Sequence, residues 1–312
     1  MIKRLLTIVL TTYNRPNYLE KSIKSIINQD FKDFNLIILD NGSTGSQTTK
    51  VINSFNDQRI QIRRFDLNNL ENINASFSYA KFGEYFMITH DDDIMGKGML
   101  KELIKILNGN KKINIAGCSI NLIDEKGNDL NKIRPRIIDD TKWKKNEFIK
   151  AYLFKGNIIP CPTCIYRSRL IIENDLKYKW KVGPANDLFL FFEANLLEGI
   201  IFLSKKVLFN YRVHLSQGIE LNRIKLEYKV RPFIIKLLEK NKEFKILRRY
   251  KKASLGIILN IILNELITSK IPIMEFKNHF IKLKSLGLNI NFYSLYWGFI
   301  GVLRGLKNLI IL

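Results

Sequence analysis

The first half of the chain alternates short apolar runs with stretches whose apolar residues recur at helical spacing. After the first apolar run, Leu19, Ile23 and Ile26 fall on one face of a helix. A sequence that alternates strand and helix in this way predicts an α/β fold whose central sheet is mainly parallel, with right-handed crossovers. The predicted strands cover residues 5–10, 35–39, 60–64 and 85–89, and a second helical pattern covers 73–82.

The alternation of strands and helices stops near residue 216, and the rest of the chain has a mainly helical pattern. We therefore expect two regions, an α/β domain over 1–215 and a helical, basic region over 216–312. At the start of the first helix, Asn14 is expected to cap the helix and Pro16 to lie in its first turn.

Polar residues follow three of the predicted strands directly: TTYN at 11–14, DNGS at 40–43 and HDDD at 90–93. Because parallel strands place their carboxyl ends at one edge of a sheet, these clusters are expected to meet and to bind a ligand there. Three consecutive carboxylates repel one another unless a cation or hydrogen-bond donors meet them. The alternative interpretation is a solvated acidic turn.

The net charge of +22 narrows the choice of partners. Residues 221–312 contain 18 Lys and Arg against 5 Asp and Glu, interleaved with apolar residues. This pattern fits an anionic membrane surface, or equally a solvated basic helix packed on its own domain. No recognised nucleic-acid-binding motif is present. The uncharged segment 285–303 is expected to be interfacial or packed in a core rather than to span a bilayer.

Three cysteines exclude a disulfide framework. Cys161 and Cys164 form a lone C-x-x-C without a second metal-ligand pair, so we expect buried thiols in a reducing compartment. No G-x-G-x-x-G follows the first strand and no Walker A sequence exists, which argues against dinucleotide binding and nucleotide hydrolysis. The N-terminal apolar run is too short for a signal peptide and is expected to be a strand.

Five segments together resemble family 2 glycosyltransferases of the GT-A fold, over roughly residues 5–215. In chain order they are TIVLTTYNRPNYLEKSIKSIINQ, LIILDNGSTGS, GEYFMITHDDD, PANDLFLFFEA and YRVHLSQG. The resemblance implies an inverting enzyme that uses a sugar nucleotide, of the type that assembles bacterial surface polysaccharide, O-antigen or capsule.

The resemblance identifies Asp91 and Asp93 as a D-x-D pair that holds Mn²⁺ or Mg²⁺. Hard cations of this kind prefer oxygen ligands, and such a cation neutralises the charge that develops on a leaving diphosphate. Asp93 is the expected direct ligand, with Asp91 toward the ribose and diphosphate. Asp92 is expected to orient the turn or the donor sugar, and His214 to contact the metal or the diphosphate.

The resemblance also implies a nucleotide site and a catalytic base. Asp40 matches the carboxylate that accepts a hydrogen bond from the pyrimidine base, and the loop that lines base and ribose contains Thr11, Tyr13 and Asn14. Asp187 matches the general base, although Asn186 stands where the family usually has Glu. The alternative role for Asp187 is that of an acidic residue stabilising a helix N-terminus.

The resulting expectation is a metal-dependent glycosyltransferase that moves a single sugar, because neither Q-x-x-R-W nor several membrane spans are found. Its donor is expected to be a UDP-sugar, and its acceptor is expected to be a lipid-linked saccharide. Basic helices would hold it in the cytoplasm at the inner face of the membrane. The alternative is an inactive sugar-binding or scaffold protein on the same fold, for which Asn186 leaves room.

Overall fold

The structure, a computed structural model, describes residues 3–155, 159–214 and 223–267, and single residues at 278, 281, 292, 295, 296, 299, 300, 302 and 303. It divides into two compact units. The first contains residues 1–181 and 186–218, and the second contains 182–185 and 219–312. The expected functional division into a catalytic region over 1–215 and a membrane-associating region over 216–312 stays a prediction.

The strands of the described residues are β1 (Leu6–Thr12), β2 (Phe34–Asp40), β3 (Ile60–Arg64), β4 (Tyr85–His90), β5 (Ile94–Met95), β6 (Ile113–Ile123), β7 (Asp129–Arg134), β8 (Thr141–Trp143), β9 (Ile165–Arg167) and β10 (Ile200–Arg212). The α-helices are α1 (Pro16–Ile27), α2 (Gln47–Asn53), α3 (Met99–Gly109), α4 (Glu147–Lys155), α5 (Ser168–Glu173), α6 (Asn186–Leu196), α7 (Arg223–Lys240) and α8 (Phe244–Ile267). Segments Leu70–Phe82, Cys161–Thr163 and Trp180–Ala185 are 3-10 helical.

The strands form one sheet in the order β3-β2-β1-β4-β9-β6-β10-β5, with β7 paired to β6 and β8 to β10. Strands β1 to β4 run parallel to their neighbours in this set, and β6 is parallel to β10. The α/β fold class and the four predicted strands are confirmed. Strands β5 to β10 were not predicted. Four of them, β5, β7, β8 and β9, are antiparallel to their partners, and their two to six residues carry too little apolar pattern.

Strands β1 and β2 are buried on both faces of the sheet. All seven residues of β1 and of β2 are buried, which explains why these strands are continuous apolar runs. Helix α1 packs on the sheet through the predicted face, with Leu19, Ile23 and Ile26 almost fully buried. This packing fixes the carboxyl ends of β1, β2 and β4 at one edge of the sheet.

The start of α1 differs from the prediction. Pro16 occupies the first turn as expected, but the capping residue is Arg15, and no side chain caps the helix. Asn14 has a left-handed backbone (φ +53°), and its Oδ1 accepts a hydrogen bond from the Thr44 N–H over 2.8 Å. The predicted cap role of Asn14 is therefore wrong, because its side chain turns toward the neighbouring loop.

The helical segment predicted over 73–82 begins earlier and is a 3-10 helix over Leu70–Phe82. Asn69 explains the earlier start, because its Oδ1 accepts the N–H of Glu71 over 2.9 Å and so caps the segment.

In the second unit, α7 and α8 pack against each other through apolar residues. Arg231 is buried and stacks over the Tyr250 ring at 5.4 Å. The apolar face of the basic stretch is thus used inside the unit, which favours the solvated basic helix for α7 and α8 over direct insertion into lipid. The buried residues are Val230, Ile234, Leu237 and Leu238 of α7 and Ile246, Leu247 and Tyr250 of α8.

Across the residues that the structure describes, no helix is both long enough and apolar enough to cross a bilayer. Most of segment 285–303 lies outside the described residues, so its expected placement stays a prediction.

Candidate active site

The acidic triplet lies where β4 ends, next to the end of β1. Asp91, Asp92 and Asp93 are all buried, with 2%, 7% and 2% of their surfaces exposed. The hydroxyl of Thr12 donates to Asp91 Oδ2 over 2.7 Å, and the N–H of Tyr13 lies 3.4 Å from the same oxygen. A solvated acidic turn is therefore excluded, and the triplet forms part of the protein interior.

Arg15 is the first of two cations that meet the triplet. Its Nη1 lies 3.3 Å from Asp91 Oδ1 and 2.9 Å from Asp92 Oδ2. The Arg15 side chain is 28% exposed, whereas those of Asp91 and Asp92 are 3% and 10% exposed. The guanidinium is thus the most accessible of these three groups.

Arg212, the last residue of β10, is the second cation and is fully buried. Its N–H donates to Asp93 Oδ1 over 2.9 Å, and its Nε donates to the Asp92 carbonyl over 2.7 Å. Nη1 donates to the carbonyls of Asp124 and Glu125 at 2.9 and 3.0 Å. Arg212 therefore fixes the backbone of the acidic turn from the opposite strand.

His214 joins the same network from just beyond β10. Its Nε2 lies 3.0 Å from Asp92 Oδ2, the oxygen that Arg15 also contacts. The His214 ring lies 5.5 Å from the ring of Tyr18, centroid to centroid. The sequence placed His214 at a metal or diphosphate. In this structure it contacts Asp92, and it remains a candidate for that role.

Burial controls the protonation of the triplet. Desolvation, reinforced by the charge of Asp92, raises the pKa of Asp91 to about 6, despite the opposing effects of Thr12 and Arg15. Burial and the same Asp92 charge raise the pKa of Asp93 well above its usual range, against the hydrogen bond from Arg212. Asp91 and Asp93 therefore hold a proton more tightly than an exposed aspartate does.

Asp93 carries the clearest sign of an additional partner. Its Oδ2 is buried and has no hydrogen-bond partner within the described part of the chain. A buried carboxylate oxygen without a donor is costly, and it is a suitable ligand for a hard divalent cation. The residues present fit such a cation through this oxygen, although the described residues contain no ready group of three or more His, Cys, Asp or Glu that could hold a metal.

Asp40 lies at the end of β2, which is separated from β4 by β1 in the sheet. Its Oδ1 accepts the N–H of Ser43 over 2.9 Å, and its Oδ2 lies 3.7 Å from Nη1 of Arg64. Gly42 has φ +82°, and a Cβ there would lie 2.5 Å from the carbonyl carbon of Leu67. The turn after Asp40 is therefore pressed against the backbone of the loop that follows β3, and only glycine fits.

The loop after β1 is tied to this turn. The N–H of Asn14 donates to Ser43 Oγ over 2.9 Å, so the two polar clusters meet as predicted. Thr11 Oγ1 lies 2.9 Å from His90 Nδ1, and the residue is buried, so this side chain is engaged with β4. Tyr13 is 39% exposed, so its side chain is accessible to a ligand.

Asp187 is the second residue of α6, and its Oδ1 accepts the N–H of Leu188 over 2.7 Å. Burial raises the pKa of Asp187 to about 6, more than its backbone hydrogen bonds lower it. The pKa of Tyr211 is raised first by burial and then by the charges of Asp93, Asp92 and Asp187. The role of Asp187 as the base stays a prediction.

The three cysteines are free and buried, as predicted. Burial raises the pKa of Cys161 to about 12, with a further contribution from the charge of Asp187. Its Sγ lies 3.6 Å from the hydroxyl of Tyr178. These thiols are protonated packing residues rather than nucleophiles or metal ligands.

Arg15 and Arg212 were missed as site residues by the sequence reasoning. Both lie inside motifs that the sequence singles out, TTYNRP and YRVH, next to residues that were assigned roles. The available signal was chemical, because three buried carboxylates require positive charge nearby.

Residues 7–175 match the profile of the protein family described as "Glycosyl transferase family 2". Among curated relatives, an uncharacterized glycosyltransferase of Methanocaldococcus jannaschii is 28% identical over 78% of this chain and 82% of its own length. A GalNAc(5)-diNAcBac-PP-undecaprenol beta-1,3-glucosyltransferase of Campylobacter jejuni is 27% identical over 72% of this chain and 70% of its own.

Solved structures share the fold. Residues 1–349 of S. aureus TarS, in complex with UDP-GlcNAc, align with a TM-score of 0.56 at 16% identity, over 82% of this chain and 80% of that one. The mannosyltransferase PcManGT of Pyrobaculum calidifontis, in complex with GDP-Man and Mn²⁺, aligns with a TM-score of 0.57 at 13% identity, over 99% of this chain and 88% of that one. At these identities the likeness is one of fold.

Proposed function

Because the chain belongs to glycosyl transferase family 2 and is thus a glycosyltransferase, we propose that it transfers one sugar from a UDP-sugar to a saccharide acceptor with inversion. The observation that carries the proposal is the placement of three buried carboxylates at the end of β4, with Asp40 at the end of the nearby strand β2. Ligands of parallel α/β sheets bind at this edge.

The nucleotide would lie along the ends of β1 and β2. We propose that Asp40 accepts a hydrogen bond from the base through Oδ2, because its Oδ1 already accepts the Ser43 N–H. Tyr13, which is partly exposed, would cover the base or ribose, and Asn14 would hold the loop in place. Thr11 would contribute indirectly by fixing the end of β1 against His90.

The diphosphate would face the acidic triplet. A divalent cation, Mn²⁺ or Mg²⁺, would be held by Asp93 through its unpartnered Oδ2, with Asp91 and His214 as further candidates, and would neutralise the charge that develops on the leaving diphosphate. Asp92, joined to His214, would keep the turn in shape. The Mn²⁺ complex of a structure with the same fold supports a divalent cation as the cofactor.

Asp187 is the proposed general base. A carboxylate with a pKa of about 6 is mostly ionised at neutral pH, yet is basic enough to accept the proton of an acceptor hydroxyl as the glycosidic bond forms. The acceptor oxygen would attack the sugar from the side opposite the diphosphate, which inverts the configuration. Asn186, where the family usually has Glu, offers an amide instead of a second carboxylate for orienting the acceptor.

A lipid-linked acceptor is supported by the undecaprenol-linked substrate named for the Campylobacter relative. An enzyme that uses such an acceptor must work at a membrane surface. We propose that it docks peripherally at the inner face of the cell membrane, as in the assembly of bacterial surface polysaccharide.

Residues near the C-terminus supply a surface suited to this docking. Five apolar or aromatic residues there are helical and between 46% and 87% exposed: Phe292, Leu295, Tyr296, Phe299 and Leu303. Their spacing of three, one, three and four residues places them on one face of a helix. Lys284, Arg304 and Lys307 flank this apolar face in the sequence, and apolar residues beside lysine and arginine suit the boundary between anionic headgroups and acyl chains.

The proposed activity is tested by screening purified full-length protein against UDP-, GDP- and dTDP-sugars in the presence of Mn²⁺. We expect slow hydrolysis of one UDP-sugar, faster release of UDP with an undecaprenol-linked saccharide acceptor, and loss of both in excess EDTA. Full turnover in EDTA would contradict the metal requirement. An inactive scaffold protein would bind UDP without hydrolysing or transferring any sugar.

A further inference from the structure

Arg15 occupies an unusual position for a cation. It precedes α1 as the capping residue, where the helix dipole disfavours positive charge. Its guanidinium nevertheless lies against Asp91 and Asp92, at 3.3 and 2.9 Å. The attraction of the buried carboxylates therefore holds the side chain there, against the local preference of the helix.

Arg15 also differs from Arg212, the other cation of the triplet. Arg212 has no exposed surface and donates to the carbonyls of Asp92, Asp124 and Glu125, so its position is fixed by the backbone. Arg15 is partly exposed, and it reaches the carboxylates with a long flexible side chain. It can leave the triplet without breaking the backbone contacts that shape the turn.

The carboxylates that hold Arg15 belong to the triplet at which a divalent cation is proposed to bind. Asp91 Oδ2 already accepts the Thr12 hydroxyl, so a divalent cation that binds Asp91 must take Oδ1, the oxygen that Arg15 holds. A guanidinium and a divalent cation on one oxygen repel each other strongly, so the two compete for it. Once released, the guanidinium remains beside the diphosphate that the cation would accompany. Its planar set of donors is well suited to two phosphate oxygens.

We propose that Arg15 is an exchangeable counter-ion: it neutralises Asp91 and Asp92 in the empty enzyme, yields Asp91 to the divalent cation, and then binds the diphosphate of the donor. This inference rests on the proposed function and adds a second donor-binding step to it. Arg15 would then compete with the metal and bind the nucleotide, so it would lower the affinity for the metal and raise the affinity for the nucleotide.

Removing Arg15 should raise the affinity for Mn²⁺ and lower the affinity for UDP, so the experiment measures both. We compare wild type, Arg15→Gln, Arg15→Lys and the control Arg169→Gln by calorimetric titration. Each protein is titrated with Mn²⁺ alone, and with UDP or uridine at saturating Mn²⁺. Arg169→Gln removes the same charge from an exposed position in α5, beside the amino ends of β1 and β4. Thermal melting establishes that each variant is folded.

For Arg15→Gln we expect Mn²⁺ alone to bind about tenfold more tightly and UDP about tenfold more weakly, the range of a charge-assisted hydrogen bond. Uridine, which lacks phosphate, should bind as in wild type. Arg15→Lys should fall between wild type and Arg15→Gln for UDP, and Arg169→Gln should match wild type throughout.

Unchanged or weaker Mn²⁺ binding by Arg15→Gln would overturn the exchange, and so would an equal loss of affinity for uridine and UDP. In either case wild-type binding of UDP with Mn²⁺ would leave the proposed function standing. Absence of UDP binding by the wild type, with and without Mn²⁺, would overturn both.

Discussion

The backbone N–H of Arg212 donates to Oδ1 of Asp93 over 2.9 Å, and this bond joins residues 119 positions apart in the chain. It connects the end of β10 to the turn after β4. The same bond leaves Oδ2 of Asp93 as the oxygen without a partner in the described residues. One arginine thus determines both the shape of the acidic turn and which of its oxygens is available to a cation.

Asp93→Asn is therefore expected to abolish Mn²⁺-dependent binding of UDP. The amide keeps the size of the side chain and an oxygen that can accept the Arg212 N–H, so the fold should be retained. Titration of UDP with and without Mn²⁺ measures the effect, with Asp129→Asn on the exposed strand β7 as the control. Metal-dependent binding of UDP by Asp93→Asn would show that Asp93 is not the ligand.

Asp187→Asn is expected to lower the rate of sugar transfer by about 10²- to 10⁴-fold, the usual contribution of a general base. Donor binding should be nearly unchanged, because Asp187 is not part of the triplet. The comparison is made through kcat and the UDP affinity. Glu193→Gln, on the same helix, is the control, since Glu193 is ion-paired with Lys179. If Glu193→Gln loses activity and Asp187→Asn does not, the base assignment moves to Glu193.

The pH dependence of transfer should reflect the same residue. Because the pKa of Asp187 is raised to about 6, the rate should rise with pH as the carboxyl loses its proton and level off above about pH 7. An ordinary aspartate, with a pKa near 3.8, would give a rate that is flat from pH 5 upward. A kcat–pH profile between pH 4.5 and 8.5 distinguishes the two when donor and Mn²⁺ are saturating at every pH, because the pKa of Asp91 is also raised to about 6.

The same pKa predicts an effect on stability. A folded-state pKa above the unfolded value means that the folded protein binds the proton more tightly, so the free energy of unfolding falls as pH rises from about 4 to about 6. This loss, at most ~3 kcal/mol, should be absent in Asp187→Asn. Melting temperatures at pH 4 and pH 8 should therefore favour the variant only at the higher pH. A helix-stabilising role for Asp187 predicts the reverse at pH 8.

Membrane docking through the C-terminal apolar face is tested with the full-length chain. Phe292→Ser combined with Phe299→Ser should weaken binding to vesicles rich in phosphatidylglycerol, because two exposed aromatic rings are lost. Added salt should also weaken the binding of wild type to these vesicles, because it screens the attraction between basic residues and anionic lipid. Ile138→Ser, which removes an 88% exposed side chain from the first unit, is the control. Equal sedimentation of wild type and double variant with vesicles would exclude this face.

Local patterns were sufficient to predict three of the strands that carry the site. Strands β1, β2 and β4 contain buried apolar runs, and a polar cluster follows each, so a shared edge for Asp40 and Asp91 could be inferred from these patterns and the rule for parallel sheets. Strand β10, which carries Arg212, was not predicted. The role of Arg212 could not, because its partners lie about 90 to 120 residues away and no local pattern encodes them. The role of Asn14 was mispredicted for a similar reason. Its side chain accepts a hydrogen bond from Thr44, 30 residues away, instead of capping the helix that follows it.

The contact between Gly42 and Leu67 restricts how donor preference could be re-engineered. Any other residue at position 42 would have to separate the two loops that frame Asp40, and would disturb the carboxylate before changing selectivity. Tyr13 and Arg64 are better positions for a mutant library, because their side chains are partly exposed and lie on either side of that turn. A selection for a new nucleotide should therefore hold glycine constant and vary the aromatic and the arginine.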